Sequence, residues 1–107
     1  GVDATGESWS THEMRHAGTH AQASMLGRET VLLPGSRIMT SSRTGVRWLA
    51  ERKRELIGSG VLIPHRDARF LVLTAFVKFR SAGEAAAFVT GGASTSARLT
   101  WIPVEGG

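Results

Sequence analysis

The stretch from Arg69 to Phe79 is apolar on both of its alternating faces, and no other feature constrains the fold as much. Phe70, Val72, Thr74, Phe76 and Lys78 alternate with Leu71, Leu73, Ala75, Val77 and Phe79. A strand with two apolar faces needs cover on both, so it is expected at the centre of a sheet. Its apolar run, Phe70 to Val77, is far shorter than the roughly 20 residues a membrane-spanning helix needs. The first ten residues, GVDATGESWS, carry no positive-then-apolar signal pattern. The expectation is a soluble, cytoplasmic protein with no membrane partner. An opening Gly in place of Met is expected of an excised domain.

A chain of 107 residues has room for one domain with one modest core. That length excludes a (β/α)₈ barrel, a full dinucleotide-binding fold and a two-domain enzyme. The absence of cysteine excludes a disulfide scaffold, thiolate zinc sites and thiol catalysis.

Residues 1–28 are rich in Gly, Ser, Thr, Ala and His and poor in large apolar groups. They are expected to form a flexible leader or linker, with at most a short helix across Glu13–Met25. Residues 29–107 are expected to be the folded domain. Thr30–Leu33 and Arg37–Thr40 flank the turn signal Pro34-Gly35-Ser36 and could pair as a hairpin. Ser41-Ser42 offers N-cap chemistry for a helix over Arg43–Ile57, whose inner face would carry Val46, Leu49, Ala50, Lys53, Leu56 and Ile57. Gly58-Ser59-Gly60 should end it. Ser81 and Glu84 form a capping-box pattern for a second, alanine-rich helix over Ala82–Val89, which Gly91-Gly92 should end. Leu99–Val104 is expected as a last strand. The fold class expected is α+β, a small and mainly antiparallel sheet with two principal helices.

The net charge of +4 is unevenly placed. Residues 1–29 carry four acids and two arginines, whereas residues 30–98 carry eleven basic residues and four acids. A basic central body favours a polyanionic partner, nucleic acid first. Eleven of the thirteen basic residues are arginine, which forms bidentate contacts with phosphate and guanine and stacks on bases. A genome that favours Arg codons would give the same composition. Arg43, Arg47 and Arg54 fall on one side of the first helix and could form a phosphate-binding stripe. The same stripe could be a solvated face laced by Glu51 and Glu55. Arg80, Ser81 and Arg98, together with Lys78, gather around the start of the second helix, whose backbone N–H groups suit an anion.

Three stretches share a family pattern: Val31-Leu32-Leu33-Pro34-Gly35-Ser36; Arg54-Glu55-Leu56-Ile57 followed by Gly58-Ser59-Gly60-Val61-Leu62; and Phe79 through Val89 with Trp101 beyond. Together they resemble the small domain of unknown function found at the C-terminus of GIY-YIG nuclease proteins, which is similar to the RAMA (restriction enzyme and adenine methylase associated) domain. The resemblance covers roughly residues 29–102. It departs from the family where Arg80, Ala82, Gly83 and Glu84 interrupt a Phe-Ser-Ser-Pro-Ser-Ala-Ala pattern. It departs again where Ser96-Ala97-Arg98 replaces Asn-Gly-Trp before Trp101. The resemblance implies an accessory module in DNA restriction, modification or repair. It also implies a nuclease or methylase domain in the same or a partner chain. In the nucleic-acid reading Trp101 could pack beneath or stack beside a base.

His12-Glu13-Met14-Arg15-His16 fits the H-E-x-x-H zinc pattern, which needs a helix to bring both imidazoles onto one face. A small histidine-metal hydrolase is therefore an alternative, and His20 would be a third imidazole. Neither a phosphate-binding G-x-x-x-x-G-K-[ST] loop nor a G-x-S-x-G elbow occurs. The reading favoured is a non-catalytic nucleic-acid-binding domain without cofactor, DNA before RNA, through Arg43, Arg47, Arg54, Arg80, Ser81, Arg98 and Trp101. A protein-interaction module docking through Trp48 or a strand edge is the alternative from another class.

Overall fold

The computed structural model describes residues 9–16, 18–27, 29–42, 46–92 and 101–104. Its elements are β1 (Ser10–His16), β2 (Thr19–Leu26), β3 (Glu29–Leu32), β4 (Arg37–Met39), α1 (Arg47–Gly58), β5 (Leu62–Pro64), β6 (Phe70–Leu73), β7 (Val77–Phe79), α2 (Ala82–Thr90) and β8 (Ile102–Pro103). The strands form one antiparallel sheet in the order β5-β6-β4-β2-β1-β8, and β3 joins β2 to β7. The fold is a small α+β domain.

The segment expected as a loose leader instead supplies the two longest strands. β1 and β2 pair from Ser10↔Met25 to His16↔Thr19, and β2 also pairs with β3 and β4. The expected boundary at residue 29 therefore falls inside the sheet, and Glu13–Met25 holds no helix. The inward residues Thr19, Ala21 and Ala23 are small and at most 2% exposed. They face α2, whose Ala85 and Ala86 are also buried. Small side chains on both elements let helix and sheet approach closely, and Met14 on β1 is the one large side chain the hairpin buries fully.

The Arg69–Phe79 run is divided. β6 pairs with β4 and β5, whereas β7 pairs with β3 alone. Its two halves keep one common register against the β3–β4 segment, with Thr30↔Phe79, Leu32↔Val77 and Ile38↔Leu71. Only β6 is flanked on both sides. β3 and β4 do not pair with each other as a hairpin. Both run antiparallel to β2, and Pro34-Gly35-Ser36 is a bulge within one interrupted strand. Gly35 supplies the positive φ of 92° that the bulge requires. The buried Ser36 hydroxyl closes it by donating to the Leu33 carbonyl (2.8 Å) and accepting from the Gln22 N–H (3.2 Å).

α1 starts at Arg47, and its N-cap Val46 makes no side-chain capping bond, so Ser41-Ser42 does not cap it. Its buried face is Leu49, Lys53 and Leu56, while Ala50 and Ile57 are exposed. The Gly58-Ser59-Gly60 stop is as expected. Ser81 caps α2 by accepting from the Glu84 N–H (3.1 Å), and Gly91 closes it with φ 77°. Leu32, Ile38, Leu49, Leu73, Phe79, Phe88 and Val89 are among the residues of the common core. The last strand is confined to Ile102–Pro103, and residues 99–100 lie outside the described residues.

Candidate functional site

Helix α1 turns Arg47, Glu51, Arg54 and Glu55 outward, since Leu49, Lys53 and Leu56 take the core-facing side. Arg47 and Arg54 are two helical turns apart and both exposed. Neither forms an ion pair with Glu51, Glu55 or any other described residue, so the helix surface is not laced by salt bridges. Arg43 and Arg98 lie outside the described residues. Trp48 is 40% exposed at the side of the same helix.

Arg52, which sequence reasoning did not single out, joins α1 to β7. Its guanidinium lies 5.5 Å from the centre of the Phe79 ring, and Nη2 donates to the Lys78 carbonyl at 3.5 Å. Its buried Nε has no hydrogen-bond partner. Arg52, Lys78 and Arg80 line a cleft of about 450 Å³ with Glu29, Phe79 and Glu84. Lys78 pairs with Glu29 at 2.7 Å. The Arg80 side chain is exposed and carries no carboxylate, although its backbone N–H donates to Glu84 Oε1 at 3.5 Å. The signal for Arg52 was its helical offset from the Arg47 and Arg54 side, which places it at the edge of the buried face.

Two expected contacts have structural work in the fold. The Ser81 hydroxyl is held by its capping bond to Glu84. Trp101 is buried, and its indole N–H donates to the Ala82 carbonyl at 2.9 Å. It supports the start of α2 from within the core and offers no open ring face to a base.

Lys53 is buried on the inner face of α1, where the helical period places it. It is only 4% exposed, and Nζ donates to the carbonyls of Met39 (2.7 Å) and Ser41 (2.8 Å). Burial pushes its amine down to about 8, while the two carbonyls favour the ammonium. The amine thereby ties α1 to the segment leaving β4.

The H-E-x-x-H stretch lies on β1, not on a helix. At a strand rise of roughly 3.3 Å per residue, His12 and His16 are about 13 Å apart along the chain, too far for one zinc ion. His20 points to the opposite face of the sheet from His12 and His16, since its cross-strand partner is Arg15. Among the described residues no cluster of three or more His, Asp or Glu could hold a metal ion. The arrangement that the metal-hydrolase alternative required is not formed. Also among the described residues, no helix is long and apolar enough to cross a membrane.

The fold and its cationic cleft define a small α+β domain with a basic, arginine-rich surface. Residues 12–107 match the family described as Domain of unknown function (DUF4357), and the chain belongs to that family. The match includes most of the β1–β2 hairpin, in agreement with its place in the sheet. No curated protein and no solved structure matches the chain.

Proposed function

We propose that this domain is a non-catalytic nucleic-acid-binding module, with DNA as its first ligand. Arg47 and Arg54 on α1 and Arg52 and Arg80 at the adjoining cleft would hold phosphates. The observation that carries this reading is that Arg47, Arg54 and Arg80 are exposed with no carboxylate partner among the described residues. Guanidinium groups in that state suit bidentate phosphate contacts. The resemblance to the domain at the C-terminus of GIY-YIG nuclease proteins and to the RAMA domain supports an accessory role. That role would be in DNA restriction, modification or repair, beside a nuclease or methylase domain, in the cytoplasm.

Fluorescence anisotropy with labelled plain duplex, adenine-methylated duplex and single strand tests the reading. Affinity should fall steeply between about 50 and about 200 mM salt, the mark of counterion release. A preference among the three ligands would identify what is read. No binding at the lower salt would reject the reading and favour a protein partner at the exposed Trp48.

A further inference from the structure

The sheet's outer face, opposite the helices, carries a second cationic arrangement that uses none of the cleft residues. Cross-strand pairing places Arg15 on β1 opposite His20 on β2, and His20 opposite Arg37 on β4. The three side chains therefore form one row across three adjacent strands, with neighbouring Cβ atoms about 4.5–5.5 Å apart. Among the described residues neither arginine of the row has a carboxylate partner, and Glu13 contacts His20 alone.

Arg37 is fixed before any ligand arrives. Its Nε donates to the Gly18 carbonyl at 2.8 Å, and its guanidinium lies 5.5 Å from the centre of the buried Phe70 ring. Gly18 is suited to that place: it has φ 87°, and an added Cβ would come within 2.7 Å of the Phe70 ring. The terminal nitrogens of Arg37 have no partner among the described residues. Arg69 flanks the same ring, but Asp67 occupies it through Nε and Nη2. Asp67 is correspondingly held at about 2 by its hydrogen bonds from Arg69. Arg15 is exposed and has no carboxylate partner among the described residues. An open cavity of about 490 Å³ is lined by Arg15, His16, Gly18, Thr19, His20 and Arg37.

We propose that this cavity binds a phosphate group, with Arg37 as the bidentate anchor and Arg15 and His20 closing on its remaining oxygens. A guanidinium already held by stacking and one hydrogen bond loses little freedom on binding, which favours a tetrahedral oxyanion at its unpartnered edge. Glu13 shares this face two residues along β1, and His20 Nε2 is 3.4 Å from its Oε2. That contact orients the imidazole, and the carboxylate limits affinity for an anion.

The test is an amide chemical-shift titration of the full chain with inorganic phosphate, a nucleoside 5′-monophosphate, the unphosphorylated nucleoside and acetate. Saturable shifts centred on Gly18, His20 and Arg37 are expected for the two phosphates and not for the nucleoside or acetate. Tighter binding of the monophosphate would assign the phosphate to a nucleotide; equal binding would assign it to the free anion. Arg37→Lys keeps the charge and removes the fork, and should weaken binding about tenfold. Arg15→Ala, on an exposed side chain, should weaken it several-fold, and Glu13→Gln should strengthen it. No saturable shift at these amides, or equal affinity in Arg37→Lys and Arg15→Ala, would overturn the proposal. Because no cleft residue takes part, loss of duplex binding would leave this result unchanged.

Discussion

Replacing Gly91 with Ala should destabilise the domain more than the same change at Gly35 or Gly58. Gly91 closes α2 at φ 77°, and an L-residue in that left-handed conformation costs about 1–2 kcal/mol. An added Cβ would also stand 2.5 Å from the backbone oxygen of Ser41. No rotamer change relieves a clash with backbone, so the chain itself must shift, which typically costs a further 1–3 kcal/mol or so. The shift would disturb the bond from Lys53 Nζ to the same oxygen. The total is about 2–5 kcal/mol, a large share of the roughly 5–15 kcal/mol that holds a domain folded. Gly35 and Gly58 serve as internal references. Gly35 has φ 92° but open space around its Cβ, so Gly35→Ala should cost only the conformational part, about 1–2 kcal/mol. Gly58 lies within α1 with open space and no positive φ, so Gly58→Ala should stabilise by about 0.5–1 kcal/mol. Urea unfolding at constant slope would measure all three. If Gly91→Ala costs no more than Gly35→Ala, the end of α2 does not rest against Ser41 and the packing argument is wrong.

Other outcomes follow from the same contacts. Deleting residues 9–26 removes β1 and β2, the partners of β3, β4 and β8, so calorimetry should find no cooperative transition; an intact melt would show the hairpin to be dispensable. Lys53 should make stability rise with pH between about 8 and 10.5, because there the unfolded chain binds a proton that the native amine has lost. The rise is at most about 3.5 kcal/mol at roughly 1.4 per unit. It should be missing from Lys53→Met, and identical pH profiles for the two proteins would refute the assignment. Trp101→Phe leaves the Ala82 carbonyl without its indole donor and should lower stability by about 1–2 kcal/mol, read from the same urea curves. A neutral result would mean that the indole N–H bond contributes nothing.

The elements legible in the sequence were those with strong local chemistry. Ser81 with Glu84, the glycine stops after both helices and the outward position of Arg47 and Arg54 all follow from spacing. The hairpin is hard to read because most of its inward residues are Thr and Ala, whose value lies in the close approach of α2, and Met14 is a lone bulky residue among them. Pro34-Gly35-Ser36 read as a turn because the signals for a turn and a bulge are the same; only the pairing with β2 separates them. Arg69–Phe79 reads as one central strand because periodicity does not show where pairing stops or that only its first half has a neighbour on each side. Arg52 at the cleft and Arg37 on the sheet's outer face are hidden for a common reason. What distinguishes each is a ring from a distant part of the chain, Phe79 for one and Phe70 for the other.

The salt dependence of duplex binding tests the proposed function most directly, comparing the natural chain with Arg47→Glu/Arg54→Glu/Arg80→Glu. If each arginine meets one phosphate, the slope of log affinity against log salt should shrink by about 0.9 per contact, about 2.7 in all. Circular dichroism should show the variant still folded, since all three side chains are exposed. An unchanged slope in a folded variant would contradict the account and leave these arginines as surface charge.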